Sequence, residues 1–167
     1  MALGPLVDAH QNEGRIQRDR AHGVCREPVA ATPAVVRGDD GASKYPVLVI
    51  EDEPAVLSFV KAALERAGYN VVPVACCADA LTMLARDNFL GVVSDMRTPG
   101  GVDGADVHAW ISAHKPELVS RVIFITGDIV NEETAATLRR TGAPCVEKPF
   151  RVQQLLGVVE KVFGGPK

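Results

Sequence analysis

Aromatic side chains are scarce in this chain: they make up 5% of its 167 residues, with a single tryptophan. A core must therefore be built from Val, Leu, Ile and Ala rather than from large rings. Long apolar runs are missing too. None approaches the ~20 residues needed to span a bilayer, and Met1 to Gly14 has neither the basic start nor the continuous apolar stretch of a signal peptide. A basic excess is absent, since the formal net charge is -3 and no basic patch stands out. That sets nucleic acid aside as a direct partner. The four cysteines, Cys25, Cys76, Cys77 and Cys145, make no C-x-x-C pair, so neither a disulfide framework nor a zinc site is expected. These absences point to a cytoplasmic globular protein that needs no membrane.

What is present falls into two parts. Residues 1–44 carry Gly4-Pro5, Pro28, Pro33, Gly38 and Gly41 among balanced charges, without periodic apolar patterning. They read as a flexible leader or a linker remnant, too short for a kinase or output domain. From Tyr45 the pattern changes, and residues 45–167 read as one domain. Short Val/Ile/Leu runs predict strands over Val47–Glu51, Asn70–Val74, Gly91–Asp95, Arg121–Thr126 and Pro144–Glu147. Between them, spacings near 3.6 predict helices over Pro54–Ala67, Ala78–Asp87, Ala105–His114, Glu132–Thr141 and Val152–Phe163. Near-continuous apolar strands alternating with helices are the mark of a parallel sheet covered on both faces. The expected fold class is α/β, a single doubly wound domain of five β-α units.

In such a sheet ligands bind beyond the carboxyl ends of the strands. The first predicted strand ends in Glu51-Asp52-Glu53, the third in Asp95, the fourth in Thr126-Gly127, and the fifth is followed by Lys148-Pro149. Three adjacent carboxylates repel one another unless a cation shares them. Mg²⁺ takes oxygen ligands, and one or two carboxylates suffice because it keeps several waters. An aspartate beside that ion can accept a phosphoryl group. An ammonium, a hydroxyl and backbone N–H groups then match the charge on the three phosphoryl oxygens. Without the metal, Lys148 is expected to pair with Asp95.

Residues 46–163 resemble the receiver domain of response regulators, the phosphoacceptor half of two-component signalling. The resemblance rests on Val-Ile-Glu-Asp-Glu-Pro (49–54), Ser-Asp-Met-Arg-Thr-Pro-Gly (94–100), Ile-Thr-Gly-Asp (125–128) and Glu-Lys-Pro-Phe (147–150). It implies a flavodoxin-like (βα)5 fold with strand order 2-1-3-4-5. It implies Asp95 as the phosphoacceptor, Asp52 and Asp95 as direct Mg²⁺ ligands, Glu51 as a ligand through water, and the backbone carbonyl of Arg97 as another. Thr126 and Lys148 would bind the phosphoryl group, and Lys148-Pro149 would be a cis peptide. The partners implied are a histidine kinase or histidine phosphotransfer protein upstream and a protein partner downstream. Such a protein catalyses only its own phosphorylation, unless the chain is the receiver end of a hybrid histidine kinase.

Two departures from that pattern stand out. Cys145 occupies a position where the family usually has an aromatic, which questions the coupling from Thr126 to the last strands. The stretch Gly100-Gly101-Val102-Asp103-Gly104 is one residue longer than usual, and its paired glycines suggest backbone at positive φ. The Cys145 departure motivates a second reading, a phosphorylation-independent interaction module. A third, an Asp-nucleophile phosphohydrolase, requires an acid two residues after the nucleophile, where Arg97 stands. Asp128 is read as a cap for the helix that follows, Asp103 and Asp106 as a turn residue and a solvated helix residue, and Trp110 as packing.

Overall fold

A computed structural model describes residues 45–165; the expectation for residues 1–44 lies outside them. Five strands, β1 (Val47–Ile50), β2 (Val71–Val74), β3 (Gly91–Asp95), β4 (Val122–Thr126) and β5 (Cys145–Glu147), alternate with five helices. These are α1 (Pro54–Arg66), α2 (Cys77–Arg86), α3 (Gly104–His114), α4 (Glu132–Thr141) and α5 (Val152–Phe163). The strands form one sheet in the order β2-β1-β3-β4-β5, with every pairing parallel. This is the expected doubly wound, flavodoxin-like topology.

The apolar runs dictate this arrangement. Every residue of β1, β3 and β4 is buried, as strands covered on both faces require. Side chains alternate across the sheet. Leu48, Ile50, Val92 and Phe124 face one core with Ala80 and Leu84 of α2 and Val107 and Ile111 of α3. Val47, Val49, Val93, Ile123 and Ile125 face the other with Val60 and Leu64 of α1 and Leu155 and Val159 of α5. Each fully buried Leu or Ile contributes about 1.5–3 kcal/mol. Pro73 is tolerated within β2 because, among the described residues, that strand is an edge paired only with β1.

Several predicted ends move by a residue. Glu51 leaves β1, and α2 begins at Cys77 rather than Ala78. A short 3-10 helix over Pro116–Arg121 was not expected from the sequence. The cap of α4 is a correction. Asn131, not Asp128, accepts hydrogen bonds from Glu133 N and Thr134 N, while Asp128 Oδ1 accepts from Asn131 N. Asp103 and Asp106 are more than turn and surface residues, because each carboxylate accepts the other's backbone N–H in a capping box at the start of α3. Trp110 is partly buried and stacks on His114 at 4.5 Å between ring centroids. Helix α4 differs from the rest in what it buries, Thr134 and Thr137. Its apolar hold on the sheet is correspondingly small.

Candidate functional site

The parallel sheet brings the carboxyl ends of β1, β3, β4 and β5 to one edge, and the polar residues gather there. Glu51 continues the ladder of β1 by one hydrogen bond, Glu51 N to Val74 O at 3.1 Å. This carries its carboxylate inside, with 1% of the residue exposed. Glu51 Oε1 accepts from Glu53 N at 3.2 Å, while Asp52 turns outward. Asp95 closes β3 and is also buried. Oxygens of Glu51, Asp52 and Asp95 lie within 4.8 Å of one another.

One cation answers this cluster. Lys148 Nζ donates to Asp95 Oδ2 at 2.7 Å and lies 2.8 Å from Glu51 Oε2. The pairing with Asp95 was expected; the second arm to Glu51 was not. No signal in the sequence separates the two acceptors. Burial pushes the Glu51 carboxyl above its usual range, as does the neighbouring Asp95 charge, against the opposing pull of Lys148. Burial acts against the charge on Lys148 as well, but Asp95 and Glu51 together outweigh it and hold the ammonium above its ordinary value.

The cis peptide at Lys148-Pro149 is present. Lys148 N donates to Thr126 O at 2.7 Å, tying the end of β5 to the end of β4. Thr126 is buried, and its hydroxyl oxygen accepts from Asp128 N at 3.2 Å. It sits one step beyond Ile125, the residue paired with Asp95 across the sheet. Arg97 N donates to Asp95 Oδ1 at 3.1 Å, and the Arg97 guanidinium extends away to 4.0 Å from Glu133 on α4. The structure thus brings together Glu51, Asp52, Asp95 and Lys148, and sets Thr126 and Arg97 beside them. It keeps Cys145 apart, half-buried against the core that contains Phe124, where burial and the charge of Glu147 push its thiol up to about 11.

A divalent cation fits these residues. All the donors are oxygens, the preference of Mg²⁺. Glu51 Oε2 is buried, with Lys148 Nζ at 2.8 Å as its ion-pair partner and no further hydrogen bond among the described residues. That oxygen keeps a lone pair open to a further ligand beside the ammonium.

Comparison with known proteins decides what this edge is part of. The model of the response regulator receiver domain matches residues 47–160, a span that contains every residue of the site. The chain belongs to the response regulator receiver family. This receiver is 30% identical over 115 residues to the response regulator protein FleR of Pseudomonas aeruginosa, an alignment covering 69% of this chain and 24% of that protein. It is 30% identical over 140 residues to the sensor protein GacS of Pseudomonas syringae pv. syringae, covering 79% of this chain and 15% of that one. The chain therefore spans a quarter or less of the length of these two relatives. Among solved structures, a response regulator receiver protein from Sinorhizobium medicae WSM419 superimposes with a TM-score of 0.63 at 27% identity, covering 71% of this chain and 94% of that one. Among the described residues, no helix is long and apolar enough to cross a membrane.

Proposed function

We propose that this receiver takes a phosphoryl group onto Asp95 from a histidine kinase or histidine phosphotransfer protein, and passes the signal to a protein partner. The observation that carries the reading is the cluster of Glu51, Asp52 and Asp95 answered by one ammonium, Lys148 Nζ, at 2.7 Å from Asp95. Asp52 and Asp95 would hold Mg²⁺ directly, Glu51 through water, and Arg97 through its carbonyl. The ion, when bound, neutralises the carboxylates and draws charge from the phosphoryl oxygens.

The chain's own residues supply the rest. An Asp95 carboxylate oxygen forms the new P–O bond while the P–N bond to the donor histidine breaks, and its electron pair leaves with the imidazole. Lys148 exchanges its contact with the carboxylate for one with a phosphoryl oxygen. The Thr126 hydroxyl faces another, and Gly127 leaves the approach open because it carries no side chain. The reaction is a single transfer at the receiver, not turnover of a substrate. Arg97 at the second position after Asp95 supplies no general acid, which speaks against a phosphohydrolase.

Helix α4 would answer the modification. Its buried face of Thr134 and Thr137 resists displacement less than an apolar face does. A modest differential binding energy can then shift it. The second reading, an interaction module that does not depend on phosphorylation, rests on Cys145, a small side chain where the family places a ring. Both readings put the protein in the cytoplasm without direct contact to nucleic acid. Acetyl phosphate with Mg²⁺ followed by intact-mass measurement separates them. The proposed function requires one phosphoryl adduct on the wild type and none on Asp95→Asn. An unmodified wild type favours the second reading.

A further inference from the structure

The stretch between β3 and α3 contains an anchor that the phosphoacceptor chemistry does not itself use. Its base is closed by Gly104 N donating to Met96 O at 3.1 Å. Its crest, Gly100 and Gly101, has φ values of +111° and +79°, a backbone with few restraints of its own. Between base and crest, Thr98 Oγ1 lies 3.2 Å from Val102 O, across the loop, and 3.1 Å from Cys77 Sγ, beneath it. Cys77 is fully buried in the first turn of α2. One hydroxyl proton serves one acceptor at a time, but the Cys77 S–H is also a donor. Both contacts are filled when Cys77 donates to Thr98 and Thr98 donates to Val102. The residue after Thr98 is Pro99, which narrows the backbone choices of Thr98 further.

The peptide unit directly before Thr98 carries the carbonyl of Arg97. On its other side, Arg97 N is fixed by Asp95 Oδ1 at 3.1 Å. We propose that Thr98 is a positioning residue for the divalent cation: held between Cys77 and Val102, it fixes the Arg97 carbonyl at the rim of the carboxylate cluster. This rests on the reading of the site as one that binds Mg²⁺. Without the hydroxyl, the peptide unit is held from the Arg97 side alone, the glycine crest lets it move more widely, and the carbonyl must be ordered further at the moment of binding. The weakening should resemble that seen when an outer hydrogen-bond partner of a metal ligand is removed.

The test measures Mg²⁺ binding by calorimetry, beside thermal unfolding in EDTA, for the wild type, Thr98→Val, Thr98→Ser, Cys77→Ala and Asp52→Asn. Thr98→Val keeps the shape and loses the hydroxyl, and its Mg²⁺ dissociation constant should rise about tenfold with little change in melting temperature. Thr98→Ser should return it close to the wild-type value, which a purely steric role for the side chain does not predict. Cys77→Ala removes the lower contact alone and should weaken binding less than Thr98→Val; it also reads the anchor should Thr98→Val fail to fold. Wild-type affinity in a folded Thr98→Val, or in Cys77→Ala where Thr98→Val does not fold, overturns the inference and leaves the metal site standing. Failure of the wild type itself to bind, or binding untouched by Asp52→Asn, overturns the reading of the site and this inference with it.

Discussion

Lys148 Nζ lies 2.7 Å from Asp95 Oδ2, a contact between residues 53 positions apart that joins the ends of β3 and β5. The same nitrogen reaches Glu51 at 2.8 Å. One ammonium therefore pairs with two buried carboxylates, one directly after β1 and one at the end of β3. Removing it leaves both without their charge partner.

Lys148→Ala should lower stability in EDTA by about 2 kcal/mol, the scale of a hydrogen bond to a charged group. Added Mg²⁺ should recover part of the loss, because the ion takes over the neutralisation. Urea unfolding with and without Mg²⁺ checks this. An equal loss in both conditions contradicts it.

Asp52→Asn should act in the opposite direction. It removes one of three mutually repelling carboxylates. Stability without divalent ions should rise by about 0.5–1 kcal/mol, as is common where a functional site holds like charges together. The extra stability conferred by Mg²⁺ should disappear. Melting curves over a Mg²⁺ series read both effects.

Gly104 has no room for a side chain. A Cβ there would lie 2.6 Å from Asp95 O and 3.2 Å from the Cα of Met96. Both are backbone atoms, one of Asp95 and one of the residue after it. Gly104→Ala should cost about 1–3 kcal/mol and slow the labelling of Asp95 by acetyl phosphate. A variant with wild-type stability and labelling rate contradicts the packing described.

His108 sets a pH dependence. It is buried on α3 against the ring of Phe124, and its Nε2 has no hydrogen-bond partner among the described residues. Burial, with the Arg140 charge on α4, holds its pKa below the ordinary 6.5. The unfolded chain therefore binds this proton more readily than the native one. The contribution is complete above pH 6.5 and is lost as pH falls below it toward the lowered native value. One proton limits the slope to about 1.4 kcal/mol per pH unit. Stability of His108→Leu should fall less steeply than wild type on the acid side of 6.5. Parallel curves for the two proteins would sink this assignment.

Much of the fold was legible because it is written in local patterns. The run Val47 to Ile50, the run Val122 to Ile125 of β4 and the 3.6-residue stripe of α5 each report their own burial without reference to the rest of the chain. Asp95, Thr126 and Lys148 could be singled out for the same reason, since a strand end is a local feature and parallel strands send their ends to one edge. The ends of helices were less legible. Asn131 and Asp128 are both capping residue types, three positions apart, and only the path of the chain after β4 selects between them. The 3-10 helix at Pro116–Arg121 is too short for periodicity to reveal.

By itself, then, the sequence determined the order of strands and helices, the two-faced core and the set of polar groups at one edge, because periodicity and strand-end position depend only on near neighbours along the chain. Tertiary structure alone decided that Lys148 bridges Glu51 as well as Asp95, that Thr98 rests on Cys77, and that His108 lies buried beside Phe124. Those choices depend on distances between segments that are not neighbours along the chain. Which of several chemically equivalent partners a side chain meets is fixed when the sheet and helices pack, not by the residues that flank it.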